Sequence, residues 1–287
     1  MITLDGNKVE VGKFPDGTIL MKRDGSPLDF MRYGFFTPHS KIVWQFENNE
    51  EMIVLMYLVK HLNSCGIKDI MLIMPYIPNA RQDRVKSEED VFTLKYFAEF
   101  INSLGFSSVT VLDPHSYVSE ALIDNIRVQT PKYYINNTID MINAIEPINS
   151  ENRLMAFYPD EGAMKRYSGL LDMPYAFGIK QRDWATGQIQ GLDVSGMTDI
   201  ICDSNVLIID DICSKGGTFY HSAKKLKELG AKNIYLYVSH CENTILQGDL
   251  LTSGLIERVF TTDSIFTKTH EKIEVMNYDA YKSYAFN

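Results

Sequence analysis

The chain has 287 residues, roughly twice the ~150 of a typical domain, and is 45% hydrophobic with 15 Phe, 16 Tyr and 13 Met, enough for a large core and against wholesale disorder. Its 28 basic and 37 acidic residues leave a net charge of −9, which argues against broad attraction to nucleic acid or an anionic membrane but not against a local cationic site for a small anion. No apolar run approaches the ~18 residues that span a bilayer, residues 1–14 have no apolar stretch of the secretory kind, and Cys65, Cys202, Cys213 and Cys241 form no C-x-x-C pair, so the expectation is a cytoplasmic protein with buried thiols rather than a disulfide scaffold or zinc site.

In chain order, one pattern recurs. Leu62, Gly66 and Ile70 lead into MLIMPY, Ile101, Gly105 and Val109 lead into TVLDPH, and Leu226, Gly230 and Ile234 lead into YLYVSH. Each reads as an amphipathic helix, a glycine that stops it and a short buried strand. Repeated helix-then-strand units predict a mainly parallel sheet covered by helices. Periodicity is weakest over 138–152, which places the boundary between two α/β halves there, 1–145 and 146–287. In such sheets ligands bind beyond the carboxyl ends of the strands.

The polar clusters fall at those ends. Arg81-Gln82-Asp83-Arg84 follows MLIMPY and the turn Ile77-Pro78-Asn79; it suits a polyphosphate or a base, and equally a solvated loop. Asp113-Pro114-His115, Pro159-Asp160-Glu161-Gly162 and Asp210-Asp211 each end an apolar run. One such carboxylate caps a helix as readily as it binds anything. Several together suit a divalent cation with a polyhydroxy or phosphate ligand, because Mg²⁺ takes oxygen ligands and keeps waters and substrate phosphates. Lys180 and Arg182, two apart in YAFGIKQR, project from one face if that segment is a strand, and two cations there call for anions. Ser214-Lys215-Gly216-Gly217-Thr218 lies between the acid pair and a helix from about Phe219: its glycines permit a tight turn with converging N–H groups, and Thr218 and Lys215 add a hydroxyl and a charge, a phosphate cradle in composition.

Taken together, these segments resemble the ribose-phosphate pyrophosphokinase (phosphoribosyl pyrophosphate synthetase) family, collinearly and over nearly the whole chain. Phe14-Pro15-Asp16-Gly17 is similar to the family's ATP-site hairpin, PYIPNARQDR (75–84) to P-Y-x-x-Y-A-R-Q-D-R, and Asp113-Pro114-His115 to D-L-H. PDEGAMKR (159–166) is similar to P-D-x-G-x-x-K-R, Lys180-Gln181-Arg182 to K-R/E-R, and 210–218 to D-D-x-x-D-T-x-G-T. The resemblance implies an α/β fold of two tandem type I phosphoribosyltransferase-like domains with the active site between them, and transfer of the β,γ-diphosphoryl group of Mg-ATP to the anomeric hydroxyl of ribose 5-phosphate. It implies Lys180 and Arg182 as the catalytic cations, and His115 and Asp160 as Mg²⁺ ligands with Asp113 nearby. Phe14, Asp16, Thr18, Arg81, Gln82, Asp83 and Arg84 fall to ATP, the hairpin reaching the site of a neighbouring subunit in a homo-oligomer, dimer or hexamer. Asp210, Asp211 and the loop of Ser214, Lys215, Gly216, Gly217 and Thr218 fall to the ribose and its phosphate. The residue types suit this chemistry, which asks for positioning and charge neutralisation rather than a covalent nucleophile.

The departures concentrate on the acceptor. Thr18 replaces the usual Glu, Pro114 replaces Leu, YVSEALID after His115 lacks the Q-x-x-G-F-F-D pattern, and Ser214-Lys215 stands in place of Asp-Thr. Three alternatives therefore stand beside a diphosphokinase acting on ribose 5-phosphate. One is the same transfer onto a larger derivative such as ADP-ribose, as in relatives of this family in phage NAD-restoring pathways. The second is a type I phosphoribosyltransferase, against which A-R-Q-D-R and K-Q-R argue. The third is a non-catalytic regulatory relative, against which retention of Lys180, Arg182, His115 and Asp160 argues.

Overall fold

The computed structural model describes residues 1–21, 39–149, 152–182 and 189–279, without the side chains of 180–182 and 189–192. Two compact units follow one another, Met1–Thr130 and Pro131–Lys282. In the first, β1 (Ile2–Leu4), β2 (Asn7–Lys8), β3 (Val11–Lys13) and β4 (Ile19–Met21) precede β5 (His39–Trp44) and α1 (Glu50–Ser64). Then come β6 (Asp69–Ile73), α2 (Thr93–Ser103), β7 (Ser108–Leu112), α3 (Val118–Leu122) and β8 (Ile126–Gln129). Among the described residues the sheet runs β2-β1-β5-β6-β7-β8, with β5 to β8 parallel and β3-β4 a separate antiparallel hairpin.

The physical cause is the period of the apolar residues. Val54, Leu55, Leu58, Val59 and Leu62 recur every three or four positions on α1, which puts them in one buried stripe, and Glu50 and Glu51 offset the positive end of that helix. Leu94, Phe97, Ala98 and Ile101 do the same on α2, while every residue of β7 is buried, as a strand covered on both faces requires. The expected strand MLIMPY is shorter than its apolar run: β6 stops at Ile73, ahead of Pro75, which has no N–H to donate to a ladder.

The second unit contains α4 (Lys132–Ile145), β9 (Leu154–Tyr158), α5 (Glu161–Tyr167), β10 (Tyr175–Arg182), β11 (Ile189–Gly196), β12 (Asn205–Cys213), α6 (Gly217–Glu228), β13 (Ile234–Cys241), β14 (Arg258–Thr262) and β15 (Ile273–Met276). Its sheet runs β11-β10-β9-β12-β13-β14-β15, parallel except for β11. All three expected helix–glycine–strand repeats are present, with Gly66, Gly105 and Gly230 at positive φ just after their helices. Cys213 and Cys241 are buried as expected and Cys65 is half-buried; Cys202 is exposed, against that expectation.

The units divide at Thr130/Pro131, not at 145/146. Helix α4 buries Tyr134, Ile135, Thr138 and Ile142, and the Tyr134 hydroxyl accepts from the Asp279 N–H at 2.9 Å. Just beyond the helix, both Glu146 carboxylate oxygens accept from Asn233 Nδ2 at 2.9 Å, immediately before β13. The helix therefore belongs to the later unit. A fragment beginning at residue 131 is expected to unfold cooperatively in urea, whereas one beginning at residue 146 should lose that transition or aggregate; circular dichroism melts of the two fragments make the comparison.

Candidate active site

Strand β12 runs buried from Asn205 to Ile209 and then carries two adjacent acids to its carboxyl end. The Asp211 carboxylate is claimed by Arg166, whose Nη1 donates to Oδ2 at 3.0 Å; the two side chains retain only 18% and 7% of their exposure. Arg166 comes from α5, which follows the neighbouring strand β9, and its guanidinium lies 5.8 Å from the centroid of the Tyr167 ring. Backbone N–H groups complete the arrangement: Asp211 N donates to Asp210 Oδ1 at 2.9 Å and Ile212 N to Asp211 Oδ1 at 2.7 Å. Burial pushes the Asp210 carboxyl well above the usual carboxylate range, and the neighbouring charges of Asp211 and then Asp160 push it further. One member of the pair is thus held by a cation while the other resists ionisation.

Asp160, expected as a metal ligand, caps α5: its backbone is extended and its Oδ1 accepts from Ala163 N at 3.1 Å. The capping role and the electrostatic coupling to Asp210 hold together, since the cap sits at the carboxyl end of β9 beside β12.

The loop after β12 has the form of an anion cradle. Gly216 is the N-cap of α6 at φ 82°, a left-handed conformation that suits glycine, and no side chain caps the helix. The first turns of α1 and α5 carry acids, whereas those of α2, α4 and α6 carry none, so the positive end of α6 is not offset from within. Lys215, Gly217 and Thr218 are exposed and Ser214 is half-buried. The helix starts at Gly217, two residues earlier than the expected Phe219.

In the first unit, 14–18 form the expected hairpin turn between β3 and β4. Phe14 N donates to Thr18 O at 2.9 Å, and Asp16 Oδ1 accepts from the Thr18 N–H at 3.0 Å and its hydroxyl at 2.7 Å. Those Thr18 bonds hold the Asp16 carboxyl below its usual range. Phe14 is 49% exposed in this turn. The 81–84 loop is tied to the segment after β7: Ser116 Oγ donates to Asp83 Oδ2 at 2.6 Å, while Arg84 meets Asp83 through Nε and Nη2, both at 2.7 Å. The hydrogen bond from Arg84, with smaller contributions from Ser116, the Arg84 charge and His115, lowers the Asp83 carboxyl to about 2. Gln82 Oε1 accepts from Thr93 Oγ1 at 2.7 Å, and Arg81 is exposed. His115 is half-buried, and Asp113 is buried at φ 40° with its N–H donating to Gln129 O at 2.9 Å.

Lys180 and Arg182 end β10 as expected, but the pairing with β11 shifts between Gln181 and Arg182. The extra residue there is Gln190 on β11, while β10 runs through Lys180, Gln181 and Arg182 without an insertion; bulges are common beside active sites. Both side chains lie outside the described residues. Among the described residues no three His, Cys, Asp or Glu side chains form a metal cage, and no helix is long and apolar enough to cross a membrane.

With this geometry in place, comparison with known proteins is informative. Residues 2–105 match the family described as the N-terminal domain of ribose phosphate pyrophosphokinase. The chain is 27% identical to the ribose-phosphate pyrophosphokinase of Pyrococcus abyssi over 293 aligned positions, covering 96% of this chain and 91% of that protein. The chain is similar to the ribose-phosphate pyrophosphokinases. The enzyme of that name from Sulfolobus acidocaldarius is also 27% identical, over 76% of this chain and 72% of its own length. The crystal structure of phosphoribosylpyrophosphate synthetase from Mycobacterium smegmatis superposes with a TM-score of 0.73 over 94% of this chain and 86% of that one, at 17% identity, so the two share a fold. The match over 2–105 contains the 14–18 hairpin and the 81–84 loop, two of the motifs on which the resemblance rests.

Sequence reasoning missed the two contacts that organise these clusters, Arg166 with Asp211 and Ser116 with Asp83. Both residues lie in or beside quoted motifs, yet no spacing links Arg166 to an acid 45 positions away. The raised Asp210 has a measurable consequence. An unfolded Asp210 ionises near 3.8, the folded one only well above it, so the native state loses stability as pH rises between those values. Asp210→Asn should therefore raise the melting temperature of the ligand-free protein at pH 7, with the gain vanishing near pH 4, as differential scanning calorimetry at both pH values would register.

Proposed function

We propose that this chain is a ribose-phosphate diphosphokinase acting in the cytoplasm: the anomeric oxygen of ribose 5-phosphate attacks the β-phosphorus of ATP, the bond from that phosphorus to the α,β-bridging oxygen breaks, and phosphoribosyl pyrophosphate, AMP and a proton result. The observation that carries the reading is the run from β12 into α6, where an acid pair suited to sugar hydroxyls meets a helix N-terminus with no acid in its first turn. Relatives named ribose-phosphate pyrophosphokinase, aligned over nearly the whole chain, support it.

The residues divide the work as follows. Asp210 and Asp211 accept hydrogen bonds from the ribose hydroxyls, and Arg166 holds the Asp211 carboxylate in place through its 3.0 Å hydrogen bond. The N–H groups of the 214–218 loop and the Thr218 hydroxyl hold the 5-phosphate, with Lys215 adding charge. Arg81 and Gln82 contact ATP, as does the Phe14, Asp16 and Thr18 hairpin from a neighbouring copy, so the active species is a homo-oligomer. Asp83 and Arg84 hold that loop through their mutual ion pair. Lys180 and Arg182 meet the charge that develops on the transferring group. Asp160 at the end of β9, beside the acid pair at the end of β12, is the kind of oxygen ligand that suits a hard cation. Mg²⁺ would be held by Asp160 and His115 with Asp113 nearby, and would neutralise the polyphosphate.

The 214–218 loop leaves a second acceptor open. Lys215, Gly217 and Thr218 are exposed on their own unit, and Ser214-Lys215 makes the loop about two charges more positive than the family's Asp-Thr, which suits the diphosphate of ADP-ribose as well as a monophosphate.

Three measurements test the proposal. Incubation with Mg-ATP and ribose 5-phosphate should release AMP, and excess EDTA should stop it; ADP-ribose in place of ribose 5-phosphate decides between acceptors, with turnover of ADP-ribose alone overturning the first reading. Lys180→Ala should lower kcat by about 10²–10³-fold with little change in the apparent ATP affinity; a kcat within about threefold of wild type would refute the assignment. Light scattering at assay concentration should find no active monomer.

A further inference from the structure

The phosphate loop rests on a wall built from the segment that follows β13. That segment starts with Glu242, whose N–H donates to Cys213 O at 2.8 Å, turns through a short 3-10 helix, Asn243–Gln247, and reaches Gly248 and Leu250. It is pinned from the far side too: Asn243 Nδ2 donates to Thr267 Oγ1 at 2.9 Å, and Thr267 N donates back to Asn243 Oδ1 at 3.1 Å. Ile245 and Leu250 are fully buried.

Gly248 has φ −99° and ψ 170°, an extended conformation open to any residue, so the backbone does not demand glycine here. Space does. A Cβ at this position would land on the Lys215 carbonyl oxygen, 2.9 Å from the carbonyl carbon and 3.3 Å from the Lys215 Cα. The oxygen is the nearest of the three, so the Lys215 carbonyl points at Gly248. In a trans peptide the C=O and the following N–H point in opposite directions. The Gly216 N–H, one of the cradle's donors, is therefore aimed away from Gly248. Leu250 supports the next residue: a Cβ on Gly216 would come within 2.9 Å of its Cδ2 and 3.0 Å of its Cβ.

We propose that Gly248 is a positioning residue for the acceptor phosphate: by leaving room for the Lys215 carbonyl it fixes the Lys215–Gly216 peptide plane, and with it the direction of one N–H donor in the cradle. This rests on the reading of 214–218 as the phosphate site. Any side chain at 248 must tilt that peptide or push the loop away from the wall. Gly248 follows a stretch with no catalytic motif, and its role arises from contact alone.

The test compares Gly248→Ala with Gly169→Ala, a control whose added Cβ meets nothing within 4 Å. One good hydrogen bond to a charged group is worth about a tenfold change or more. Gly248→Ala should raise KM for ribose 5-phosphate by about tenfold or more while kcat and KM for ATP stay within about twofold, and should weaken inorganic phosphate as a ligand, followed by calorimetry, to a similar extent. Gly169→Ala should change neither. If Gly248→Ala fails to give a wild-type circular dichroism spectrum, Leu250→Val takes its place and should raise the same KM more modestly, again without moving KM for ATP. An unchanged KM and phosphate affinity in the folded variant, or an equal loss toward ATP, overturns the proposal. The calorimetry separates it from the reaction itself: wild type that binds phosphate more tightly than Gly248→Ala without turning over ribose 5-phosphate upholds the role of Gly248 and removes the assigned activity. Wild type that binds no phosphate removes both.

Discussion

Two adjacent carboxylates at the end of a buried strand cannot both ionise freely, and the second unit is arranged around that difficulty. Taking a carboxylate out of water is costly unless a cation or hydrogen-bond donors replace the solvent. Asp211 receives Arg166, and both acids receive backbone N–H groups, but Asp210 is left with burial and two acidic neighbours. The strand order brings this about. Because β9 lies directly beside β12, the helix that follows β9 delivers both Arg166 and the Asp160 cap to the end of β12. A site in this state attracts whatever relieves Asp210, either a hydroxyl donor or a cation.

The two units use the same helix–glycine–strand scaffold for opposite electrostatic ends. In the first, Asp83 is drawn to about 2 by an exposed bidentate arginine and a serine, so its charge is settled within the unit and serves to fix the 81–84 loop. In the second, burial dominates and the Asp210 carboxyl moves up. Both are acids near a strand end: the hydrogen bond from Arg84 lowers the one, and burial, reinforced by neighbouring acids, raises the other.

The cradle shows a similar division between a chain segment and its support. Its own glycines supply the turn, and the absence of an acid in the first turn of α6 leaves the positive end for a ligand. What holds the loop in place comes from beyond β13, at Gly248 and Leu250. Rigidity of this kind reduces the ordering that binding must otherwise bring about.

By itself the sequence determined the fold class, the repeating helix–glycine–strand units, the span of β10 and most of β12, and the clustering of acids, cations and glycines at strand ends, because each is written in local periodicity or in contiguous motifs. It did not determine where α4 belongs, since weak periodicity reveals a gap in a pattern and not the sheet against which a helix packs. Nor did it reveal the bulge at Gln190 of β11, opposite Gln181 and Arg182, because a register shift belongs to a pair of strands and the partner strand was not identified. Arg166 with Asp211, Ser116 with Asp83, and Gly248 under Lys215 join residues 45, 33 and 33 positions apart. Only the tertiary structure decided these: the bonds and close approaches that aim a side chain or a peptide act through space, and nothing in the local order of residues encodes which distant strand end will lie beside another.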